Sequence, residues 1–181
     1  MSGFQFKKDI GRDGGSVQKY HVDSGHATIL AKGDHVKLTG TAFTDGTAEV
    51  DAATGGAVFL GVIVGVEIDY SNETLNEQGL PASTAGYVLI NQSPTAQYEV
   101  AGDGTTALAV TEVGLNFDST VTAATRSGGV TRSNFVLNTT TTGINTVAQW
   151  KVISLVDGDV STAQKIIVQP VEVYSLTSAG A

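Results

Sequence analysis

Hydrophobic and polar residues alternate over short stretches of the chain, and glycine, asparagine, aspartate or proline separates most of these stretches. Alternation with a period of two, bounded by turn residues, is typical of β-strands. The pattern predicts strands at residues 17–22, 27–31, 35–43, 57–69, 86–91, 97–101, 107–110, 113–117, 135–137, 147–156 and 165–174. A series of about nine to eleven short strands favours an all-β fold, either a single β-barrel or a β-sandwich domain.

Two features modify this picture of regular strands. Residues 57–69 form the most hydrophobic stretch, but Gly61 and Gly65 interrupt it, which predicts a bulge or a bend at a barrel corner. Pro170 lies inside the last predicted strand and has no amide hydrogen to donate. We therefore expect that strand to be bulged at the proline or to lie at the edge of a sheet.

The first 25 residues differ in composition from the rest of the chain. They contain five glycines and show little sustained periodicity, so we predict that residues 1–25 form an extended N-terminal arm. Residues 26–181 are predicted to form the barrel or sandwich domain. Within this domain, residues 71–85 are polar and are predicted to form a loop, with one helical turn near residues 73–78.

Charge separates the same two parts of the chain. The net charge is −8 overall, whereas residues 1–20 carry +2 and the remainder carries −10. An acidic body argues against nucleic acid as a partner, because phosphate binding depends on basic residues. Only 15% of the residues are charged, against roughly 25% in typical soluble domains. A neutral polar exterior of this kind is common where surface becomes interface, because charge there would have to be desolvated.

The sequence also restricts where the chain is expected to reside. Its longest apolar run, residues 57–66, is about half as long as a membrane-spanning helix, so no membrane partner is predicted. The residues after Met1 lack the apolar segment of a secretory signal. The chain also contains no cysteine, which fits synthesis in a reducing cytoplasm.

Residues able to carry out chemistry are few and scattered. The three histidines, His21, His26 and His35, have a spacing that matches no zinc motif. The chain contains no Gly-x-Ser-x-Gly nucleophile elbow. Residues 157–159 (DGD) could offer oxygen ligands to calcium, although a tight turn explains them as well. We therefore expect no catalytic residues, no cofactor and no metal, and we predict that the protein is not an enzyme.

Two further motifs have simpler explanations than catalysis. Residues 102–107 (GDGTTA) formally fit the glycine fingerprint of dinucleotide sites, which requires a strand-to-helix turn. Both flanks are predicted to be strands, so a hairpin turn is the better interpretation. Asp69, Glu73 and Glu77 could pair as the acids of a glycoside hydrolase, but an exposed acidic loop accounts for them.

The N-terminal segment contains the best candidates for an interface. Phe4 and Phe6 alternate with a polar residue directly before Lys7 and Lys8, and Arg12 follows. An alternating aromatic segment beside basic residues could add a strand to the sheet edge of a partner. The alternative is that the rings fold back on the core of their own chain. These five residues are our candidate interface residues.

Several short segments resemble head decoration (cement) proteins of tailed bacteriophages. They are residues 56–62 (GAVFLGV), 66–70 (VEIDY), 94–100 (PTAQYEV), 113–116 (VGLN), 126–133 (RSGGVTRS), 135–139 (FVLNT) and 150–156 (WKVISLV), together with Gly104. The resemblance extends over roughly residues 30–160, and its motifs are short. It does not include the N-terminal arm.

The resemblance implies a β-barrel or sandwich domain bound to the outside of an icosahedral head. The expected partner is the major capsid protein, and the expected state is a homo-oligomer, with a trimer favoured over a dimer. The implied role is to clamp neighbouring capsid subunits, and no catalytic residues are implied. Two alternatives remain open: a tail or fibre component, and a carbohydrate-binding or adhesive β-module, which would need a row of exposed aromatic rings.

Overall fold

A computed structural model describes residues 3–10, 16–67, 79–140 and 148–171 of the chain. The regular secondary structure of the described part is almost entirely β-strand, which confirms the predicted all-β class and, within it, a closed barrel. The sixteen strands found there are, in chain order, β1 (Gln5–Asp9), β2 (Val17–Val22), β3 (Leu30–Ala31), β4 (His35–Ala42), β5 (Ala48–Ala52), β6 (Gly61–Val66), β7 (Gly79–Leu80), β8 (Gly86–Asn91), β9 (Ala96–Ala101), β10 (Asn116–Phe117), β11 (Ser119–Thr120), β12 (Thr125–Ser127), β13 (Val130–Arg132), β14 (Val136–Leu137), β15 (Trp150–Leu155) and β16 (Lys165–Pro170).

Five strands close into a barrel in the order β2-β5-β4-β6-β8. All neighbouring pairs are antiparallel except β2 and β5, which run parallel and pair at His21 and Glu49. The register of β6 against β8 shifts between Ile63 and Gly65, so the predicted bulge in this segment is confirmed. The buried residues of the barrel interior are all aliphatic, as expected for a narrow barrel filled by side chains.

A second layer is a five-stranded antiparallel sheet with the order β1-β9-β16-β15-β10. Its core is rich in aromatic residues and is centred on Trp150, which is fully buried. Three small two-stranded pairs, β3–β7, β11–β14 and β12–β13, complete the described structure. The sheet core also contains Phe59 and Val62 from the barrel segment, so the two layers pack directly on each other.

Pro170 does not place its strand at an edge, since β16 lies between β9 and β15. The amide of Val171 donates to the carbonyl of Gln149 on the β15 side. Because successive amides of a strand point in opposite directions, the Pro170 nitrogen faces β9. Pairing between β16 and β9 ends at Val168. The amide hydrogen that Pro170 lacks would therefore lie beyond the last β16–β9 pair. The prediction that this strand is bulged at the proline or lies at a sheet edge is thus wrong.

Other predictions differ from the structure in detail. The predicted strand at residues 107–110 is wrong, because the chain forms a short 3-10 helix there, at Val110–Glu112. The irregular stretch before residue 130 contains two short strands, β11 and β12, that the sequence did not predict. The predicted helical turn near residues 73–78 lies outside the described residues.

The segment predicted as an N-terminal arm contains two strands. Its first strand, β1, pairs with β9 at the edge of the five-stranded sheet, and its second strand, β2, belongs to the barrel. Whether the first residues of the chain also reach a neighbouring molecule stays a prediction.

Candidate functional site

The outer edge of β1 is the surface where most of the candidate interface residues lie. Phe6 is 42% exposed, and its ring meets Tyr98 edge-on at 6.0 Å. Lys7 and Lys8 are exposed, and the Lys7 ammonium lies 2.6 Å from the Glu99 carboxylate. This edge therefore presents one aromatic ring and two ammonium groups on a short strand. Arg12, the fifth candidate, lies outside the described residues.

A bulge modifies the backbone of this edge. Phe6 pairs with Tyr98 and Lys8 pairs with Gln97, so Lys7 is the extra residue on β1. Bulges and lysines are the common means by which proteins keep an edge strand from pairing with another copy of itself. The β1 edge is thus suited to side-chain contact with an acidic surface and poorly suited to pairing with a second β1.

Phe4 is placed differently from Phe6. It is 2% exposed, its ring stacks on Trp150 with centroids 4.2 Å apart, and it meets His35 edge-on at 5.6 Å. Its amide donates to the carbonyl of Gly33 over 2.9 Å. For Phe4, packing on the core of its own chain is therefore the arrangement found. We call this location, formed by Trp150, His35, the Gly33 carbonyl and the side of β9 that pairs with β1, the Phe4 slot.

The three histidines do not come together. His21 lies on the barrel exterior with its Nδ1 atom 3.1 Å from Glu49, and the His26 Nδ1 atom lies 2.7 Å from the Asp23 carbonyl. His35 is buried between the two layers. Within the described ranges, no three histidine, cysteine or carboxylate side chains are grouped closely enough to hold a metal ion.

His35 and Ser119 form a serine–histidine contact, which has the composition of a nucleophile–base pair. The His35 Nε2 and Ser119 Oγ atoms are 3.0 Å apart, and the Ser119 hydroxyl donates to Gln149 Oε1 over 2.6 Å. Because the hydroxyl has a single proton, Nε2 must be the donor to Ser119. The histidine thus cannot act as the base for this serine, and all three side chains are buried. We interpret the group as a structural junction.

Burial also fixes the charge state of the junction. It lowers the pKa of His35 to about 3, so the ring is neutral at ordinary pH. Burial raises the pKa of the neighbouring Asp34 to about 7, partly offset by hydrogen bonds from Ser133 and from the Ala31 amide. Gln149 completes the junction, since its amide donates to the carbonyls of Thr54 and Ala57 in the barrel segment.

The sequence did not predict a cluster of aromatic and charged side chains on the outside of the barrel. The His21 ring stacks on Phe43 with centroids 3.9 Å apart, and the Tyr87 hydroxyl donates to Asp45 over 2.6 Å. The Lys19 ammonium lies 4.3 Å from the centre of the Tyr87 ring. The Tyr87 hydrogen bond lowers the pKa of the Asp45 carboxyl to about 2. The alternation of residues in β2 indicates the outward face, but the contact with Phe43 is long-range.

The remaining acidic motifs form turns. In residues 102–107, Asp103 accepts hydrogen bonds from the Thr105 amide and from the Thr139 hydroxyl, and no helix follows directly. Asp159 accepts from both the amide and the hydroxyl of Ser161. The carboxylates of Asp103 and Asp159 thus stabilise local turns. Asp69, Glu73 and Glu77 lie outside the described residues.

Comparison with protein-family models, with curated proteins and with solved structures gave no match to this chain. In the residues that the structure covers, no helix has the length and apolar character needed to cross a membrane. The function must therefore be argued from the surfaces and the junction described above, together with the short motifs noted in the sequence.

Proposed function

We propose that this chain is a capsid decoration or cement protein that binds the outer surface of a phage head and stabilises contacts between major capsid subunits. The observation that carries the proposal is the resemblance of the short motifs between residues 30 and 160. Three of those motifs, residues 94–100, 135–139 and 150–156, overlap β9, β14 and β15 and contribute Tyr98, Phe135 and Trp150 to the sheet core. The capsid role is what this resemblance implies, and the proposal depends on it.

The surfaces of the described residues support a structural role. The Ser119 hydroxyl is committed to a buried junction, and the turn carboxylates of Asp103 and Asp159 are committed to backbone amides. What remains exposed on β1 is a side-chain surface with an aromatic ring and two lysines. Such a surface suits an acidic partner, and many copies on a repeating lattice convert weak single contacts into high avidity.

The first experiment is the copy number of the chain in purified particles of the phage that encodes it, measured by quantitative mass spectrometry against the major capsid protein. A ratio near one copy per capsid subunit is the expected result. A few dozen copies per particle would instead favour the tail or fibre alternative. Absence from particles would overturn both virion roles.

The second experiment tests the β1 surface. Phe6→Ala combined with Lys8→Glu should weaken co-sedimentation with capsids that lack the protein, because it removes the exposed ring and reverses a charge. Val160→Ala is a matched control, since Val160 is also exposed but lies far along the chain from β1. Equal binding by both variants would show that β1 is not the capsid contact.

The carbohydrate-binding alternative has one specific observation in its favour. Phe43 is 37% exposed and lies beside Tyr87 and Asp45 on the barrel exterior, a combination that can stack on and hydrogen-bond a sugar. A glycan array with the unmodified protein and with Phe43→Ala would test it. Binding that depends on Phe43 would favour the adhesive module over the capsid role.

A further inference from the structure

The N-terminal strand is separated in sequence from the sheet that it completes. β1 pairs with β9, and the whole barrel, from β2 to β8, lies between them in the chain. Every group of the Phe4 slot comes from the chain after β1: Trp150 in β15, His35 in β4, the Gly33 carbonyl and the side of β9 that pairs with β1. A β1 strand supplied by another molecule would therefore make the same contacts in the slot.

Withdrawal of β1 leaves the rest of the molecule with its own support. The aliphatic core of the barrel contains no residue from β1 or from the segment before it. The sheet would lose one edge strand and the Phe4 ring, while the β9-β16-β15-β10 order would remain hydrogen-bonded. The strand and its ring thus behave as one detachable element.

The connection to the barrel permits this element to reach outward. Seven residues, 10–16, link β1 to β2, and three of them are glycines, which impose little backbone preference. A fully extended link of this length spans up to about 25 Å. Ile10, at its start, is 63% exposed, so the link leaves β1 at the surface.

We propose that copies of this protein exchange their N-terminal strands, so that residues 3–9 of one molecule occupy the Phe4 slot and pair with β9 of a neighbouring molecule. The partner is a second copy, because the slot is complementary to this chain's own segment: it accepts the Phe4 ring, and Glu99 receives the Lys7 ammonium. Exchange is distinct from edge-to-edge pairing of two β1 strands, which the Lys7 bulge and Lys8 oppose. The inference does not depend on capsid binding.

The same contacts form within one molecule and between molecules, so concentration decides the balance. A covalent link of seven residues holds β1 near its own slot at an effective concentration on the order of millimolar. Where copies are closely spaced, in concentrated solution or on a lattice, the concentration of neighbouring slots approaches that value, and exchange competes with closure within one molecule. Exchange should thus increase steeply with protein concentration.

The test uses two single-cysteine variants of the full chain, which has no cysteine of its own. Gln5 and Glu99 are paired across β1 and β9, so a disulfide between Gln5→Cys and Glu99→Cys in different molecules forms readily only after exchange. The two variants are mixed, unfolded together in urea, refolded at several concentrations and oxidised. A mixture of Gln5→Cys with Val160→Cys, which is exposed but not paired with β1, measures random collisions.

We expect several-fold more heterodimer from the Gln5 and Glu99 pair than from the control pair, rising with concentration. Addition of a synthetic peptide of residues 1–10 during refolding should suppress it, whereas the same peptide with Phe4→Ala should not. Because refolding gives every molecule the chance to exchange, a yield equal to that of the control at all concentrations would overturn the proposal. Failure of the unmodified peptide to compete would overturn the role of the slot.

Discussion

The barrel and the five-stranded sheet differ in where their core residues come from. The barrel core is aliphatic and is drawn entirely from residues 20–90, the stretch that forms the barrel itself. The sheet core is rich in aromatic residues, and it takes Phe4 from just before β1 and Phe59 and Val62 from the barrel segment. A closed barrel covers its own interior, whereas an open sheet must have one face covered by other elements. The sheet is therefore the layer whose stability depends on long-range contacts.

The largest expected effect comes from Phe4→Ala. Loss of a buried phenylalanine typically costs about 3–5 kcal/mol, and here the ring stacks on Trp150 at the centre of the sheet core. Urea unfolding should show that loss in the free energy of unfolding. Hydrogen exchange should show faster opening of β9 than of the barrel strands, because only β9 pairs with β1.

Phe6→Ala is the matched control on the same strand. Its ring is 42% exposed, so the change should cost less than about 1 kcal/mol. A loss for Phe4→Ala as small as that for Phe6→Ala would mean that the sheet does not depend on the Phe4 ring, and the contrast between the two layers would disappear.

The junction between the layers should show itself in the pH dependence of stability. Asp34 has a raised pKa of about 7, so its favourable contribution is complete below 3.8 and is lost as pH rises through 7. His35 has a lowered pKa of about 3, so its contribution is complete above 6.5 and is lost as pH falls toward 3. Between pH 3.8 and 6.5 the two slopes have opposite signs and cancel.

Asp34→Asn removes one of these slopes and retains an oxygen that can accept from the Ala31 amide. The difference in unfolding free energy between this variant and the unmodified protein should change by up to about 1.4 kcal/mol per pH unit. Because the slope is smaller close to the two pKa values of Asp34, the total is about 3 kcal/mol between pH 4 and 6.5. The variant gains relative stability as pH rises, because only the histidine slope remains. A difference that is constant across this range in urea unfolding would contradict the assignment.

A smaller effect is expected within the barrel, from Gly61→Ala. A Cβ atom at Gly61 would lie 2.3 Å from the Asn91 carbonyl oxygen, which is backbone of the adjacent strand and cannot move aside. Crowding of this kind typically costs about 1–3 kcal/mol. Gly65→Ala, on the same strand, is the control, since its Cβ would meet Leu89 at an ordinary 3.5 Å. Thermal unfolding that shifts equally for both would show that the β6–β8 contact is looser than the structure indicates.

The sequence predicted the strands that have clear alternation, such as β4, β8 and β16, and the bulge at Gly65. It failed at residues 107–110, where the Glu112 carboxylate accepts the Ala109 amide over 2.7 Å and stabilises a 3-10 turn instead. A local hydrogen bond between side chain and backbone outweighed the apolar pattern there. Such competition depends on a single contact and leaves little trace in periodicity.

The candidate site was predictable only in part. Alternation placed Phe4 and Phe6 on the same side of a strand, but it could not indicate that only Phe4 would be buried, because the slot is formed by Trp150 and His35 from distant parts of the chain. The closure of the barrel at His21 and Glu49 is likewise a non-local contact. The alternation within a strand indicates which residues share a face, but it does not indicate which residues from other parts of the chain pack against that face.

The smallest effect that we predict concerns the hydrogen bonds between the layers. Ser119→Ala removes the hydroxyl that joins His35 to Gln149, which leaves buried polar atoms without a partner and should cost about 1–2 kcal/mol. Ser161→Ala, at an exposed turn, is the control and should change stability by less than about 0.5 kcal/mol.

Because Phe4 and Ser119 both contact His35, the double variant sharpens the comparison. If the junction acts as one unit, the loss for Phe4→Ala with Ser119→Ala should be smaller than the sum of the single losses by at least about 0.5 kcal/mol. Urea unfolding of the four proteins in the cycle measures this coupling. If the two single losses in unfolding free energy are additive, the Phe4 ring and the junction stabilise the contact between sheet and barrel independently. The sheet would then depend on distant residues in two separate ways.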